Sequence, residues 1–320
     1  MKDLEKKFIY ILEKKFLFEK KPKIAVAVSG GPDSIALAFL LKKWIKRKKG
    51  QLTALIVNHQ IRNDSLNEAK SVKKYLDINK FNSLVLTIPK KNISSGKMSQ
   101  ARNNRFEKLI NFCNQNNIFH LFIGHHYDDN IETFFLRKIA GSNFEGLNCM
   151  KEKTYLKNVQ ILRPLLYFSK NQLISYNDYM KINYIFDPSN KNEKYSRILV
   201  RNFIKSNPKY LKNIQDDFFL IQNNYEDYMK MIYGNFIKTS LKIFNNNIVL
   251  DSNKFFNLDK EIQIKFIEII SRFLTTRTNF LRYKKISALV DKIQLNFSKA
   301  YILSKIKIER SGDMILFSSL

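Results

Sequence analysis

The apolar run Ile24 to Val28 leads at once into Ser29-Gly30-Gly31-Pro32-Asp33-Ser34, and the helical stretch Ile35 to Trp44 follows. A strand, a tight glycine turn and a helix start in that order form an anion cradle. The glycines let the backbone approach an oxyanion closely, while the N–H groups and positive dipole end of the helix face it. A phosphate-bearing ligand is the expectation. The string is shorter than the G-x-x-x-x-G-K-[ST] loop, and Asp33 followed by Ser34 stands where that loop has its lysine.

Short β-branched runs alternate with helical periodicity through the first half of the chain. Ile24–Val28, Thr53–Asn58, Leu84–Ile88 and Ile118–Ile123 read as strands, and Ser34–Arg47, Ser65–Leu76, Ser99–Gln115 and Asp129–Ile139 as the helices after them. This predicts an α/β fold, a doubly wound parallel sheet with helices on both faces. Ligands of such sheets bind at the carboxyl ends of the strands, so Ser29–Ser34, His59, Arg62, Lys90, Lys91, Gly124, His125 and His126 are expected to converge on one crevice. A helix over Lys170–Met180 follows, and Asp187-Pro188-Ser189-Asn190 reads as a turn. From about Pro208 the pattern changes to long amphipathic segments, Tyr210–Phe244, broken at Gly234, and Lys260–Leu274. A hairpin closes the chain, Lys305–Glu309 with Met314–Phe317. Residues 1–208 are therefore expected to form the nucleotide-binding catalytic domain with an N-terminal helix, and 209–320 a second, mainly helical domain.

The 56 Lys and Arg against 28 Asp and Glu give a net charge of +28 over 320 residues, which favours a polyanionic partner such as nucleic acid. Drift in a Lys- and Asn-rich composition is the competing reading. Cys113 and Cys149 are the only cysteines and form no C-x-x-C pair, which excludes a disulfide framework and a thiolate metal site and fits a reducing cytoplasm. Glu13, Lys14 and Lys15 interrupt the N-terminal apolar stretch, which reads as an amphipathic helix packed on the body. No run approaches the roughly 18–20 apolar residues of a membrane span.

Gly124-His125-His126-Tyr127-Asp128-Asp129-Asn130-Ile131-Glu132-Thr133 ends the fourth strand and opens a helix. His125, Asp129 and Glu132 stand at i, i+4 and i+7, on one helical face if the turn tightens early. The plainer reading makes Asp129 an N-cap and Glu132 its capping-box partner. Carboxylates beside a phosphate cradle can share a Mg²⁺ with the phosphates or hold a substrate ammonium. The H-E-x-x-H zinc spacing is absent. Arg102 and Arg105 lie one turn apart on the preceding helix.

Ser29–Ser34 resembles the S-G-G-x-D-S loop of the PP-loop ATP pyrophosphatase superfamily, whose fold is adenine nucleotide α-hydrolase-like. With Val57-Asn58-His59-Gln60-Ile61-Arg62, Ala101–Phe106, Gly124–Thr133, Arg163-Pro164-Leu165-Leu166 and Asp187–Asn190, the chain resembles the tRNA(Ile)-lysidine synthetase family from about residue 23 to 205. Residues 209–320 resemble that family's substrate-binding domain only loosely. The resemblance implies an ATP-dependent ligation of L-lysine to C2 of the wobble cytidine in a CAU-anticodon tRNA(Ile), which changes codon specificity from AUG to AUA. It implies that Ser29, Gly30, Gly31, Pro32, Asp33 and Ser34 hold the pyrophosphate, with Asp33 a Mg²⁺ ligand and His59 at the nucleotide. His125 and Arg105 would support the phosphate or adenylate, and Asp129 and Glu132 the lysine. The chain departs from the family pattern in two places: Gln60 stands where glycine is usual, and Ser99 and Gln100 where an acidic residue is frequent. A PP-loop tRNA cytidine thiolase and a non-catalytic basic tRNA-binding protein are the alternatives; the first needs cysteines that two isolated thiols do not supply.

Overall fold

The computed structural model describes residues 2–58, 60, 65–88, 98–184, 196–275, 283–295 and 300–320. His59, Arg62, Lys90, Lys91 and Asp187–Asn190 lie outside the described residues. Two compact units are present, 1–221 and 222–320.

The first unit is built on a six-stranded sheet of β1 (Lys23–Ala27), β2 (Gln51–Asn58), β3 (Asn82–Thr87), β4 (His120–Phe122), β5 (Lys153–Leu156) and β6 (Val159–Leu162). Its order is β3-β2-β1-β4-β6-β5, parallel except for the β5–β6 pair at one edge. The strands are short and apolar, as expected of a sheet covered on both faces. Alternation of side chains along them sorts the core in two. Ile24, Val26, Ala54, Ile56, Phe122 and Leu162 pack under α1 (Lys2–Lys15), α2 (Pro32–Lys48), α3 (Ser65–Ile78) and α7 (Lys170–Tyr179). Ala25, Leu55, Leu121, Ile123 and Ile161 pack under α4 (Met98–Gln115) through Leu109, Ile110 and Cys113. The N-terminal helix docks by Phe8, Ile11 and Leu12, all buried.

Strand order reverses between β1 and β4, since the chain winds outward from β1 through β2 to β3 and then returns to the other side. A crevice opens where the connections after those two strands part. α2 follows β1 and α5 (Tyr127–Ile139) follows β4, so both sequence motifs start at this switch point.

α9 (Pro208–Thr239) runs unbroken through Gly234, against the expected break. A glycine inside a helix costs about 1 kcal/mol relative to alanine, too little to interrupt so long an amphipathic run. Its first turns belong to the first unit: Ile214 and Phe218 are buried against Ile131 and Phe134 of α5. The units therefore divide beyond residue 208, inside α9. The second unit is helical as expected but carries more strands than the single hairpin read from the sequence. Besides α10 (Ser252–Phe256), α11 (Lys260–Thr275) and α12 (Tyr283–Leu295), it contains a five-stranded antiparallel sheet. To the expected hairpin, β10 (Ile306–Ser311) with β11 (Met314–Ser319), it adds β7 (Ser240–Ile243), β8 (Asn247–Asp251) and β9 (Tyr301–Leu303). These three strands are too short for their periodicity to stand out, and pairing in the sheet stabilises them. Among the described residues no helix is long and apolar enough to cross a membrane.

Trp44 is the only tryptophan and is fully buried in the first unit, so its fluorescence reports unfolding of that unit. Phe218→Ala removes an edge-to-face ring contact with Phe134, centroids 5.5 Å apart. It is expected to destabilise the Trp44 transition by about 3 kcal/mol in urea titrations. An unchanged midpoint would assign the start of α9 to the second unit.

Candidate active site

The Ser29–Ser34 segment closes on itself before it meets any ligand. Gly30 takes φ of 91°, a region that a β-carbon disfavours. Ser34 Oγ accepts from the Ser29 amide at 3.1 Å and donates to the Gly31 carbonyl at 3.1 Å. Gly31 is the N-cap of α2 and supplies no side-chain cap, and Pro32 at the first helical position has no N–H to satisfy. The first-turn amides thus face outward from the cradle. Two contacts from elsewhere hold the loop down. Asn177 of α7, fully buried, donates to the Pro32 carbonyl at 2.9 Å. Gly124, just after β4, lies so close beneath α2 that a β-carbon there would sit 3.1 Å from Ser34 Cα and 3.2 Å from Ser34 N.

The second motif folds differently from both sequence readings. α5 starts at Tyr127, and His126 is its N-cap. The capping box pairs His126 with Asp129, not Asp129 with Glu132: Asp129 Oδ2 accepts from the His126 amide at 3.1 Å, and the Asp129 amide approaches His126 Nδ1 at 3.4 Å. His125 therefore precedes the helix and does not join Asp129 and Glu132 on a helical face. The His126 ring, 2 % exposed, has three carboxylates around it, Asp128 at 3.5 Å, Asp129 at 3.6 Å and Asp33 at 3.7 Å. Burial opposes charge on this ring, yet the contact with Asp128 and the fields of Asp129 and Asp33 together raise its pKa. Burial lifts the Asp33 carboxyl above the usual range against the opposing pull of His126 and Lys170. Asp128 is also penalised by burial, but hydrogen bonds from His126 and the Lys170 amide, the latter 2.7 Å, hold it low.

A cavity of about 330 Å³ opens over these groups, lined by Ser29, Gly31, Pro32, Asp33, Glu68, Val72, Arg105, His126, Asp129, Lys170 and Arg201. Of the expected residues, the phosphate loop, Asp33, Arg105 and Asp129 meet there. Burial and the neighbouring Arg102 push the Arg105 guanidinium pKa down, so bringing an anion to it relieves a cost already present. His125 is partly buried and is not among the lining residues. Glu132 is 4 % exposed and stands behind the wall, both oxygens held by Arg201 of α8 (Ser196–Ser206), at 2.7 Å from Nε and 3.0 Å from Nη2.

Sequence reasoning missed Lys170, Arg201, Glu68 and Val72. Lys170 had a signal, since Ser169 and Gln172 form a capping box that starts α7 beside it. Arg201 had none, because only the fold brings α8 to Glu132. One departure from the family pattern also finds its geometry: Gln60 sits at φ of 52°, where glycine is at ease and a side chain is strained.

Two outcomes follow. Glu132→Gln leaves the Arg201 guanidinium without its charge partner, and should cost about 2 kcal/mol in the Trp44 transition. That is less than the 3–5 of a fully buried pair because the Arg201 side chain is 27 % exposed. A stability equal to wild type would show the pair to be dispensable. Gln60→Gly should raise the same midpoint by about 0.5–1 kcal/mol by removing the left-handed strain. A decrease would show that the side chain itself is needed.

Residues 2–207 match the ATP_bind_3 family, described as a PP-loop domain. Among curated proteins, the chain is 38% identical over 204 residues to a tRNA(Ile)-lysidine synthase of Orientia tsutsugamushi (strain Boryong), covering 64% of this chain and 46% of that protein. It is 32% identical over 302 residues to the tRNA(Ile)-lysidine synthase of the Wolbachia of Brugia malayi (strain TRS), covering 92% of this chain and 70% of the relative. The chain thus spans under half the length of the first and about two thirds of the second. Among solved structures, the U34-tRNA thiolase NcsA from Methanococcus maripaludis, with its [4Fe-4S] cluster, superposes with a TM-score of 0.59 at 19% identity, over 72% of this chain and 78% of that one. At that identity the likeness speaks to the fold alone. The PP-loop match over most of the chain and the likeness to the Wolbachia protein along nearly all of it establish that this chain belongs to the tRNA(Ile)-lysidine synthase family of PP-loop proteins.

Proposed function

We propose that this chain joins L-lysine to C2 of the wobble cytidine of a CAU-anticodon tRNA(Ile), with ATP as the activating substrate. The observation that carries the reading is the side-by-side placement in one cavity of an anion-binding set and a carboxylate pair. The first turn of α2, Arg105, Lys170 and Arg201 supply positive potential; Asp33 and Asp129 supply negative. An enzyme that handles triphosphate and an alkylammonium together needs both.

In the first step the cytidine O2 attacks the α-phosphorus of ATP, and the bond to the bridging oxygen of the β-phosphate breaks to release pyrophosphate. The Ser29–Ser34 loop and the α2 amides hold the departing charge, and Arg105 and Lys170 face it across the cavity. Such groups act by being in place before charge develops. In the second step the lysine amine, freed of its proton, attacks C2, and AMP leaves with the electron pair of the C2–O bond. Asp129 holds the ammonium before it is deprotonated, and as a carboxylate lining the cavity it is within reach of the released proton. Glu132, fixed on Arg201, acts through that arginine by keeping it aimed at the cavity.

Asp33 also fits a magnesium ligand. Its Oδ1 is buried with no hydrogen-bond partner among the described residues, and burial penalises its charge, which a cation would offset. No group of three or more His, Cys, Asp or Glu side chains suited to a metal is found among the described residues, which agrees with an ion carried mainly by the nucleotide's phosphates. When bound with ATP, Mg²⁺ would neutralise phosphate charge at Asp33.

The thiolase alternative lacks its thiols. Burial pushes Cys113 up to about 12 and Cys149 to about 11, so neither is a thiolate at neutral pH, and two cysteines cannot ligate a four-cysteine cluster.

Incubation with ATP, Mg²⁺, labelled lysine and an unmodified CAU-anticodon tRNA(Ile) transcript should place label in the RNA and release one pyrophosphate per lysine. Asp33→Asn should slow pyrophosphate release on the order of 100-fold with tRNA affinity nearly unchanged. Asp129→Asn should raise the lysine requirement more than that for ATP. Pyrophosphate release without label in RNA would reject lysine as the acceptor's partner, and equal loss of tRNA affinity in Asp33→Asn would reject its role at the nucleotide.

A further inference from the structure

Outside the cavity, α5, α8 and α9 present aromatic side chains that folding leaves in water. Phe135 of α5 lies flat on Phe203 of α8, ring centroids 5.5 Å apart and planes 11° from parallel. Tyr210 of α9 meets Phe203 edge-on at 5.8 Å and 64°. Phe203 is 39 % exposed and Tyr210 58 %, and the exposed Leu199 and Ile139 belong to the same two helices, α8 and α5. All of them belong to the first unit.

We infer that Phe203 and Tyr210, backed by Phe135, form a stacking platform for unpaired bases of an RNA strand whose phosphates are met by Lys205, Lys209 and Lys212. This rests on the proposal that the substrate is a tRNA. Charge favours RNA over other occupants. From Leu199 to Lys212 the chain has four basic residues and no acidic one; Arg201 is taken by Glu132, whereas Lys205, Lys209 and Lys212 are exposed and form no ion pair among the described residues. Asp216 and Asp217 follow on α9, and Asp217 is paired with Lys138. Interfaces between proteins deplete lysine, whereas nucleic-acid surfaces combine lysines with exposed rings. An unpaired base offers the π-face that a ring can cover, and a base inside a duplex does not.

Placement favours it too. Glu132 and Phe135 are one turn apart on α5, a rise of about 5 Å, and they engage Arg201 and Phe203 of α8 in the same order. Arg201 reaches the cavity, so the platform stands a nucleotide or two from where the reacting base must enter. Splaying a cytidine out of its loop costs the stacking of its neighbours, which these rings would replace.

The test uses the full chain and two RNAs: a hairpin with a CAU-anticodon loop carrying 2-aminopurine beside the anticodon, and a blunt duplex with as many phosphates. The Phe203→Ala/Tyr210→Ala variant should bind the hairpin roughly 5- to 150-fold more weakly, and lose the 2-aminopurine quench, with duplex affinity unchanged. Phe203→Trp should restore both. ATP binding checks that the variant is folded, and Tyr210→Ala alone, at a mostly exposed site, decides the matter if it is not. Unchanged hairpin affinity, or equal loss for hairpin and duplex, would overturn the platform. So would sedimentation showing a wild-type dimer that the variant abolishes, which would give the face to a second copy. Failure of lysine incorporation with loop-selective binding intact would reject the reaction and leave the platform standing.

Discussion

The site depends on how closely the first turn of α2 sits against the end of β4. Gly124 has no side chain, and Ser34 occupies the space one would need. Because of that approach, the helix N-terminus after β1 and the His126 cap after β4 share one wall of one cavity. Asn177 and Ser34 finish the arrangement by taking up the carbonyls of Pro32 and Gly31. A polar loop can be buried this way because most of its groups are satisfied within the protein, while the outward amides are kept for an anion.

Charge in the cavity is held in opposition. Burial destabilises the ionised forms of Asp33 and His126 alike; His126 and Lys170 offset that cost only in part for Asp33, whereas Asp128, Asp129 and Asp33 more than offset it for His126. Arg105 bears a similar cost from burial and from Arg102. A folded chain accepts such groups only where the rest of the core is secure, and here two packed faces of a six-stranded sheet secure it. Groups held short of full compensation respond strongly to a ligand of opposite charge.

Glu132 shows how a motif residue changes meaning with its environment. By spacing it belongs with Asp129, one turn away on α5, and both could hold an ammonium. In the fold it is buried, and its two oxygens meet the fork of Arg201, a bidentate contact that orients a cation toward the cavity. The helix thus turns one carboxylate, Asp129, to the cavity and pairs the other with Arg201.

The sequence by itself determined what depends on neighbours in the chain. The alternation of strands and helices, the glycine turn before α2, and the residue types of the cradle follow from local sterics and periodicity, and β1 to β4 with α2 to α5 lie where that pattern puts them. Charge and cysteine count were equally legible, being properties of composition. The tertiary structure decided what depends on long-range proximity. It placed His126 rather than His125 over the cavity, because the helix starts one residue after His126 and the cap turns that ring inward. It paired Arg201 with Glu132 across 69 positions of chain. It also turned short segments of the second unit into β7, β8 and β9, whose backbone groups are satisfied only by partner strands that local sequence cannot specify.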